Sequence, residues 1–467
     1  MSSPPRPAAN KLLDGPILRT LLSLAWPNAI AFSAGTLVAI AETSYIGRIG
    51  VEALAAMALV FPCVMLTMSM SGAAMGGGVA SAIARALGAG DRHRAESLAT
   101  HALLIAVVFG LVFMLGMLVG GPRLLELLGG RGNVLAQAVA YSQVYFGGAI
   151  LTWLLNIMAG ILRGTGNMKL PSLMIVNSAI CQIILGGMLG LGLGPVPQFG
   201  MPGVAAGTLI AFSINIAIMS WYLFSGRGRI VPRLHGFRMQ WALFADILKV
   251  GAVACFSPLQ NVLTSLIFTH MLAVFGTAIL AASGIGARLE YVLATIAFSV
   301  GIGSVPMIGV AIGAERIPRA RRIAWTTGLV AFLVVGGLAS GVAIFPDPWV
   351  NLFTDDTAAR TASRQFLRIV GPFYAFLGLA SAMYFSSQGA GNVLGPVLAQ
   401  TARLLFIVLG GWYLMSEAAS AGSFFMLTSA SMILLGVLSC AAVASTRWGP
   451  RKTDAKGQLN LASAADK

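Results

Sequence analysis

The chain has 467 residues, of which 57% are hydrophobic and only 10% charged, with a mean hydropathy of +0.85. A soluble domain carries about 25% charged residues, so this composition excludes a large water-facing catalytic or ligand-binding module and indicates a membrane protein. The net charge of +15 suggests a nucleic-acid partner only in a soluble protein, so its meaning depends on where the basic residues lie.

Apolar runs of spanning length, broken at Gly, Pro and charge clusters, predict twelve helices. They lie near 17–46, 53–83, 96–120, 135–161, 170–192, 203–225, 242–274, 278–311, 323–345, 363–387, 394–415 and 421–445. The polar start from Met1 to Arg19 leads into an apolar run much longer than a signal core of about 7–15 residues, so the first segment is expected to be an uncleaved span. Pro27 in the first segment and Pro258 in the seventh predict kinks. Cys63, Cys181, Cys255 and Cys440 fall inside apolar stretches without paired or metal-like spacing, which predicts free core thiols.

With the N-terminus placed inside, 22 of the 30 Lys and Arg residues fall on the inner side and six on the outer. The remaining two, Arg288 and Arg403, fall within spans. This excess obeys the positive-inside rule and predicts a multi-pass protein of the cell inner membrane with both termini cytoplasmic. The basic balance is thereby a topology signal, and no nucleic-acid partner is expected.

The chain also repeats itself. Arg163-Gly164-Thr165-Gly166-Asn167, ending at Pro171, recurs 225 residues later as Gln388-Gly389-Ala390-Gly391-Asn392, ending at Pro396. The same shift carries Gly88-Ala89 and Arg94-Ala95 onto Gly313-Ala314 and Arg319-Ala320. An even number of spans separates the copies, so both halves enter the membrane from the same side, as parallel repeats do. The expected organisation is an N-terminal lobe over 1–225, a linker over 226–240, a C-terminal lobe over 241–445 and a tail over 446–467. The fold class is an all-α membrane protein with twelve transmembrane helices in two six-helix lobes.

Glu42-Thr43-Ser44-Tyr45-Ile46-Gly47-Arg48-Ile49-Gly50, followed by Glu52-Ala53-Leu54-Ala55-Ala56, resembles the end of helix 1 in multidrug and toxic compound extrusion (MATE) transporters. Ala86-Leu87-Gly88-Ala89-Gly90-Asp91, Arg163-Gly164-Thr165-Gly166-Asn167 and Gly286-Ala287-Arg288-Leu289-Glu290 resemble later motifs of the same family, in the same order. The resemblance implies a two-lobe exporter of the MOP superfamily that uses a proton or sodium gradient to expel amphiphilic, often cationic compounds.

An ionisable side chain inside the membrane is costly and marks a functional position by default. Of the 15 acidic residues only Glu42 and Glu290 sit well inside predicted spans. Glu42 lies five residues before Gly47-Arg48, about 8 Å from the outer end of its helix. Burial there favours protonation near neutral pH; the alternatives are an interfacial carboxylate or a pair with Arg48. It resembles the family's helix 1 acid, normally Asp. A second family acid, on helix 5, aligns with Gly186, and the Asn one turn before it with Gln182. One carboxylate with polar neighbours Asn156, Asn177, Gln182 and Asn215 therefore remains, a set that suits a proton better than a tightly held Na⁺. Interhelical hydrogen bonds, worth about 1 kcal/mol each, are the alternative for each amide.

Glu290 is read as a second coupling or substrate site, or as half of a buried charge pair. Arg288, two residues away, points to a different helix face and is a candidate substrate contact. Carboxylates of other family branches align near Asn261 and Leu377. His270 is read as an interhelical histidine. Met65 and Met68 suit a variable apolar cavity or a core. Tyr141, Tyr145 and Trp153 are candidates for stacking on flat cations, with interfacial anchoring the rival for the tyrosines. No phosphate cradle, catalytic residue or metal site is expected: Gly164-Thr165-Gly166 lacks the Lys and spacing of a P-loop.

The expected function is antiport of amphiphilic, cationic organic compounds or drugs against H⁺ or Na⁺, with no cofactor, the bilayer as setting and a single chain as the unit. A lipid-linked saccharide flippase is the alternative and calls for a more cationic cavity. A membrane enzyme would need clustered carboxylates for Mg²⁺, and the adjacent pair Asp355-Asp356 falls in an outer loop; a channel is the remaining reading.

Overall fold

The computed structural model describes residues 11–233, 239–446 and 448. Residues 234–238 of the expected linker, residues 1–10, and 447 and 449–467 of the expected tail lie outside the described residues.

Among the described residues there are twelve apolar spans: α1 (Ile17–Ile49), α2 (Val51–Gly88), α3 (Arg92–Leu127), α4 (Gly132–Gly164), α5 (Lys169–Leu191), α6 (Gly200–Phe224), α7 (Trp241–Ala273), α8 (Thr277–Gly313), α9 (Ile317–Ile344), α10 (Thr357–Gly389), α11 (Leu394–Ser416) and α12 (Ala421–Ser445). They coincide with the predicted segments and extend several by a turn. Successive helices run antiparallel, so Ile17, Gly88, Trp241 and Gly313 share one end of the bundle, called here the basal end.

Four spans are irregular: α2, α4, α7 and α10, the last through a 3-10 turn at Gly371–Phe373. α4 bends by 49° at Gly148. α7 breaks at Cys255; Pro258 lacks the N–H that would bond to Ala254, and the Tyr384 hydroxyl donates to that carbonyl at 3.4 Å instead. Pro27 is accommodated inside α1. In α2, residues Met70–Met75 form a π-helix, which frees carbonyls for outside partners. The Gln388 amide, reaching across from α10, donates to the Ala73 carbonyl at 3.0 Å.

Directly after this bulge Gly76-Gly77-Gly78 turns three faces to three neighbours. A Cβ on Gly160 of α4 would lie 2.6 Å from the Gly76 carbonyl oxygen, one on Gly77 would lie 2.1 Å from Oε1 of Gln388, and one on Gly78 would lie 2.7 Å from the Gly251 nitrogen of α7. The glycine run thus lets α4, α10 and α7 converge on the centre of α2. The repeat is visible in backbone geometry too: Gly166 (φ +85°) and Gly391 (φ +77°) take left-handed conformations in equivalent loops.

The two groups of six helices meet at the basal end. Ser299 to Ile312 of α8 are buried without interruption, as are most residues from Ala74 to Ala86 of α2, whereas the distal halves of both helices alternate between buried and exposed positions. A helix buried on every side is enclosed by both lobes. The same helices' distal halves keep an open face, so the lobes are closed basally and parted distally.

Polar contacts reinforce the basal closure. Ser81 donates to the Gln388 carbonyl, and Asp246 of α7 accepts from Arg85 at 2.6 Å and Arg94 at 3.0 Å. The Lys11–Asp14 turn bridges the lobes: Leu12 packs under Gly166 while Asp14 pairs with Arg316 at 2.7 Å. Half-exposed pairs of this kind contribute about 1 kcal/mol or less. Asp246→Asn is therefore expected to raise the basally open population no more than about fivefold, less at high salt, as read from the distance between spin labels at the exposed basal positions Lys169 and Arg322.

Candidate functional site

A cavity of about 410 Å³ lies among α7, α8, α10, α11 and α12, closed on one side by Met65 and Ser69 of α2. Its lining holds one acid, Glu290, and one base, Arg403. Glu290 stands one turn after Gly286, where close packing sets its position. A Cβ on Gly286 would lie 2.1 Å from Cε1 of Phe366, and the Tyr374 hydroxyl donates to the Gly286 carbonyl at 3.3 Å. Arg403 of α11 is 5% exposed, and its Nε donates to Ser431 Oγ of α12 at 3.5 Å. Gln400, one turn before it, donates to Asn261 Oδ1, and Gln260 donates to Thr401 Oγ1 at 2.6 Å, which ties α11 to α7.

The structure corrects the expected place of Arg288. It is exposed, with its guanidinium 4.7 Å from the Phe353 ring near the distal surface, and does not line the cavity. Two residues along a helix reverse the facing direction, so Glu290 enters the cavity and Arg288 leaves it. Arg403 is the base that shares the cavity with Glu290. His270 is exposed near the distal end of α7, in place of the expected interhelical position.

In the N-terminal lobe Glu42 is half-buried, and Thr208 Oγ1 of α6 lies 3.4 Å from its Oε1. Tyr45, one turn on, donates to the Ile183 carbonyl of α5 at 2.8 Å. Gly186 and Gly187 lie beneath its ring, and a Cβ on Gly207 of α6 would lie 2.6 Å from the Gly186 nitrogen. The small residues of α5 and α6 thus admit Tyr45 and hold Glu42 against Thr208.

The four amides do not converge on Glu42. Gln182 donates back to Ser178 Oγ at 2.9 Å on its own helix. Asn177 donates to Asn215 at 3.0 Å, and Asn215 to the Ala211 carbonyl at 2.8 Å, about two turns basal of Thr208. Asn156 donates to Ser71 Oγ at 2.8 Å and to Met68 Sδ at 3.7 Å, fastening α4 to the π-helix. Helical pitch explains the mismatch, because residues in one sequence neighbourhood occupy different levels and faces.

The aromatic candidates are also displaced. Trp153 is fully buried, 5.1 Å from Phe109 and 5.3 Å from Phe113 between α3 and α4. Tyr141 and Tyr145 stack 6.0 Å apart inside the N-terminal lobe, each about 1% exposed. All three fill core space and are closed to a stacking ligand. Met65 faces the cavity, whereas Met68 lies against Asn156. Thr208 carries no sequence signal within Val204-Ala205-Ala206-Gly207-Thr208, whereas Arg403 stands out in the sequence as one of two intramembrane bases. Among the described residues no group of three or more His, Cys, Asp or Glu is placed to hold a metal ion.

The architecture has clear relatives. The family model MatE matches residues 27–188 and again 254–414, one match in each lobe. The chain belongs to the MATE family. This MATE protein is 28% identical over 404 residues to the FAD transporter of Shewanella oneidensis, covering 85% of this chain and 88% of that one. It is 24% identical over 398 residues to a probable multidrug resistance protein, NorM, of Thermotoga maritima, covering 82% of each. Among solved structures, a MOP superfamily transporter from Pyrococcus furiosus superposes with a TM-score of 0.86 at 22% identity, covering 93% of this chain and 98% of that one. A multidrug resistance MATE transporter in an outward-facing conformation gives 0.84 at 22% identity over 98% of each chain. The MATE protein is a multi-pass membrane transporter, and its two lobes are copies of one repeated unit.

Proposed function

We propose that this MATE protein is a proton-coupled antiporter that exports amphiphilic organic compounds from the cytoplasm. The observation that carries the reading is Glu42, an intramembrane carboxylate whose polar partner is the single hydroxyl of Thr208, while the neighbouring amides are engaged elsewhere. That setting favours exchange of a proton over retention of Na⁺, which needs several oxygen ligands. The basal end carries most Lys and Arg residues, so it is assigned to the cytoplasm and the described state opens outward. Protonation of Glu42 in this state removes a half-buried charge between α1 and α6 and alters their packing. Substrate release and lobe reversal then follow as a shift between two states that bind the proton unequally. The exporter acts as a single chain in the inner membrane, with both termini cytoplasmic and no resident cofactor.

The expected cationic preference of the substrate is supported by Glu290 and opposed by Arg403, which share one cavity. A saccharide-phosphate flippase calls for several bases around the cavity, and its lining contains one. Transport is tested by loading proteoliposomes with a fluorescent amphiphilic dye in sodium-free buffer and imposing a pH difference. The reading requires dye movement that a protonophore abolishes; movement that persists with the protonophore or requires Na⁺ contradicts it.

A further inference from the structure

We propose that Arg403 forms an anion subsite in the C-terminal cavity that it shares with Glu290, so that the preferred substrate is a zwitterionic amphiphile carrying a carboxylate. The word substrate rests on the export reading above; the subsite itself rests on the side chains.

A guanidinium offers five N–H donors and stays charged, and burying it costs several kcal/mol unless it is paired and hydrogen-bonded. Arg403 is 95% removed from solvent, yet its one hydrogen bond to protein is the 3.5 Å contact with Ser431. Among the described residues neither Arg403 nor Glu290 has an ion-pair partner within 4.0 Å. Both line the same 410 Å³ space, a volume that suits a drug-sized ligand. Opposite charges that line one cavity without an ion pair within 4.0 Å leave each group able to engage a ligand.

The surrounding groups fit that ligand. Arg403 presents a planar fork suited to bidentate binding of a carboxylate. Gln400, fixed by Asn261, and Thr428 flank it, and Phe298 and Met65 provide apolar wall. With one acid and one base the lining is neutral in formal charge, so a purely cationic substrate satisfies Glu290 and leaves the guanidinium buried and unpaired. A zwitterion satisfies both.

The test compares rhodamine B, a zwitterion at neutral pH, with its ethyl ester, a cation of nearly the same shape. Fluorescence anisotropy on the purified full-length protein in detergent reads equilibrium affinity. The wild type is expected to bind the acid about tenfold more tightly than the ester, a difference of about 1.4 kcal/mol. Arg403→Gln brings the two within about twofold, and Arg403→Lys keeps most of the preference. Glu290→Gln weakens the ester and leaves the acid preference intact, which tests the assignment even where Arg403→Gln fails to fold. Equal binding of both dyes by the wild type, binding of neither, a preference that survives Arg403→Gln, or one lost in Glu290→Gln overturns the subsite. The assay needs no gradient. Failed selectivity with intact proton-driven efflux refutes the subsite alone, and selective binding without such efflux refutes the antiport reading alone.

Discussion

Replacing Glu42 by Gln is expected to reduce gradient-driven dye efflux to the level of protein-free liposomes, a loss of at least about a hundredfold, at equal expression and with the fold retained. The amide matches the carboxyl in shape and accepts from Thr208 at the same 3.4 Å position, so packing of α1 on α6 survives. What disappears is the change of charge that makes the two conformations respond differently to a proton. A ligand with equal affinity for both states shifts neither, however tightly it binds. The driving energy at stake is considerable: one proton falling through about 100 mV and one pH unit releases about 3.7 kcal/mol. Glu42→Asp keeps the titrating group and is expected to retain part of the activity. Counterflow of dye without an ion gradient checks folding, since an intact but uncoupled protein still exchanges substrate.

The second large effect is conformational. Gly313→Ala is expected to shift the protein from the basally closed state toward the basally open one by about fivefold or more. A Cβ at Gly313 would lie 2.0 Å from the Arg85 carbonyl oxygen and 2.8 Å from the Ala89 nitrogen, and one at Gly88 would lie 2.3 Å from the Val310 carbonyl oxygen. These neighbours are backbone atoms of the opposite lobe and have no rotamer with which to yield. Overpacking of this kind costs about 1–3 kcal/mol, and here the protein avoids it by parting the lobes at that end. Spin labels at the exposed positions Lys169 and Arg322, in a background without native cysteines, report the basal separation by pulsed dipolar spectroscopy. Gly116→Ala serves as the control, because a Cβ there meets nothing within 4 Å. An unchanged distance distribution in Gly313→Ala, with Gly116→Ala also unchanged, contradicts the basal contact as the closing surface.

Most of the architecture was legible because membrane composition leaves a strong linear record. The apolar runs located all twelve spans, and the recurrence of Arg163-Gly164-Thr165-Gly166-Asn167 as Gln388-Gly389-Ala390-Gly391-Asn392 divided them into two lobes. Glu42 and Glu290 stood out because acids are scarce inside such runs. The facing of individual side chains was less accessible. Arg288 and Trp153 carry suitable chemistry, but helix rotation directs one toward the distal surface and the other into the lobe core. The partners of Asp246 lie 161 and 152 residues away, and a carbonyl of the π-helix at Met70–Met75 accepts from Gln388 of the other lobe. Such features belong to the assembled interface and leave no local pattern in the chain.

In the proposed mechanism a proton moves through Glu42 in exchange for an organic substrate. This exchange is tested most directly by recording the pH inside proteoliposomes when an amphiphilic dye is added, with and without Na⁺. The expected result is substrate-triggered proton movement that is independent of Na⁺ and absent in Glu42→Gln. Proton movement that requires Na⁺, or that persists unchanged in Glu42→Gln, contradicts the mechanism.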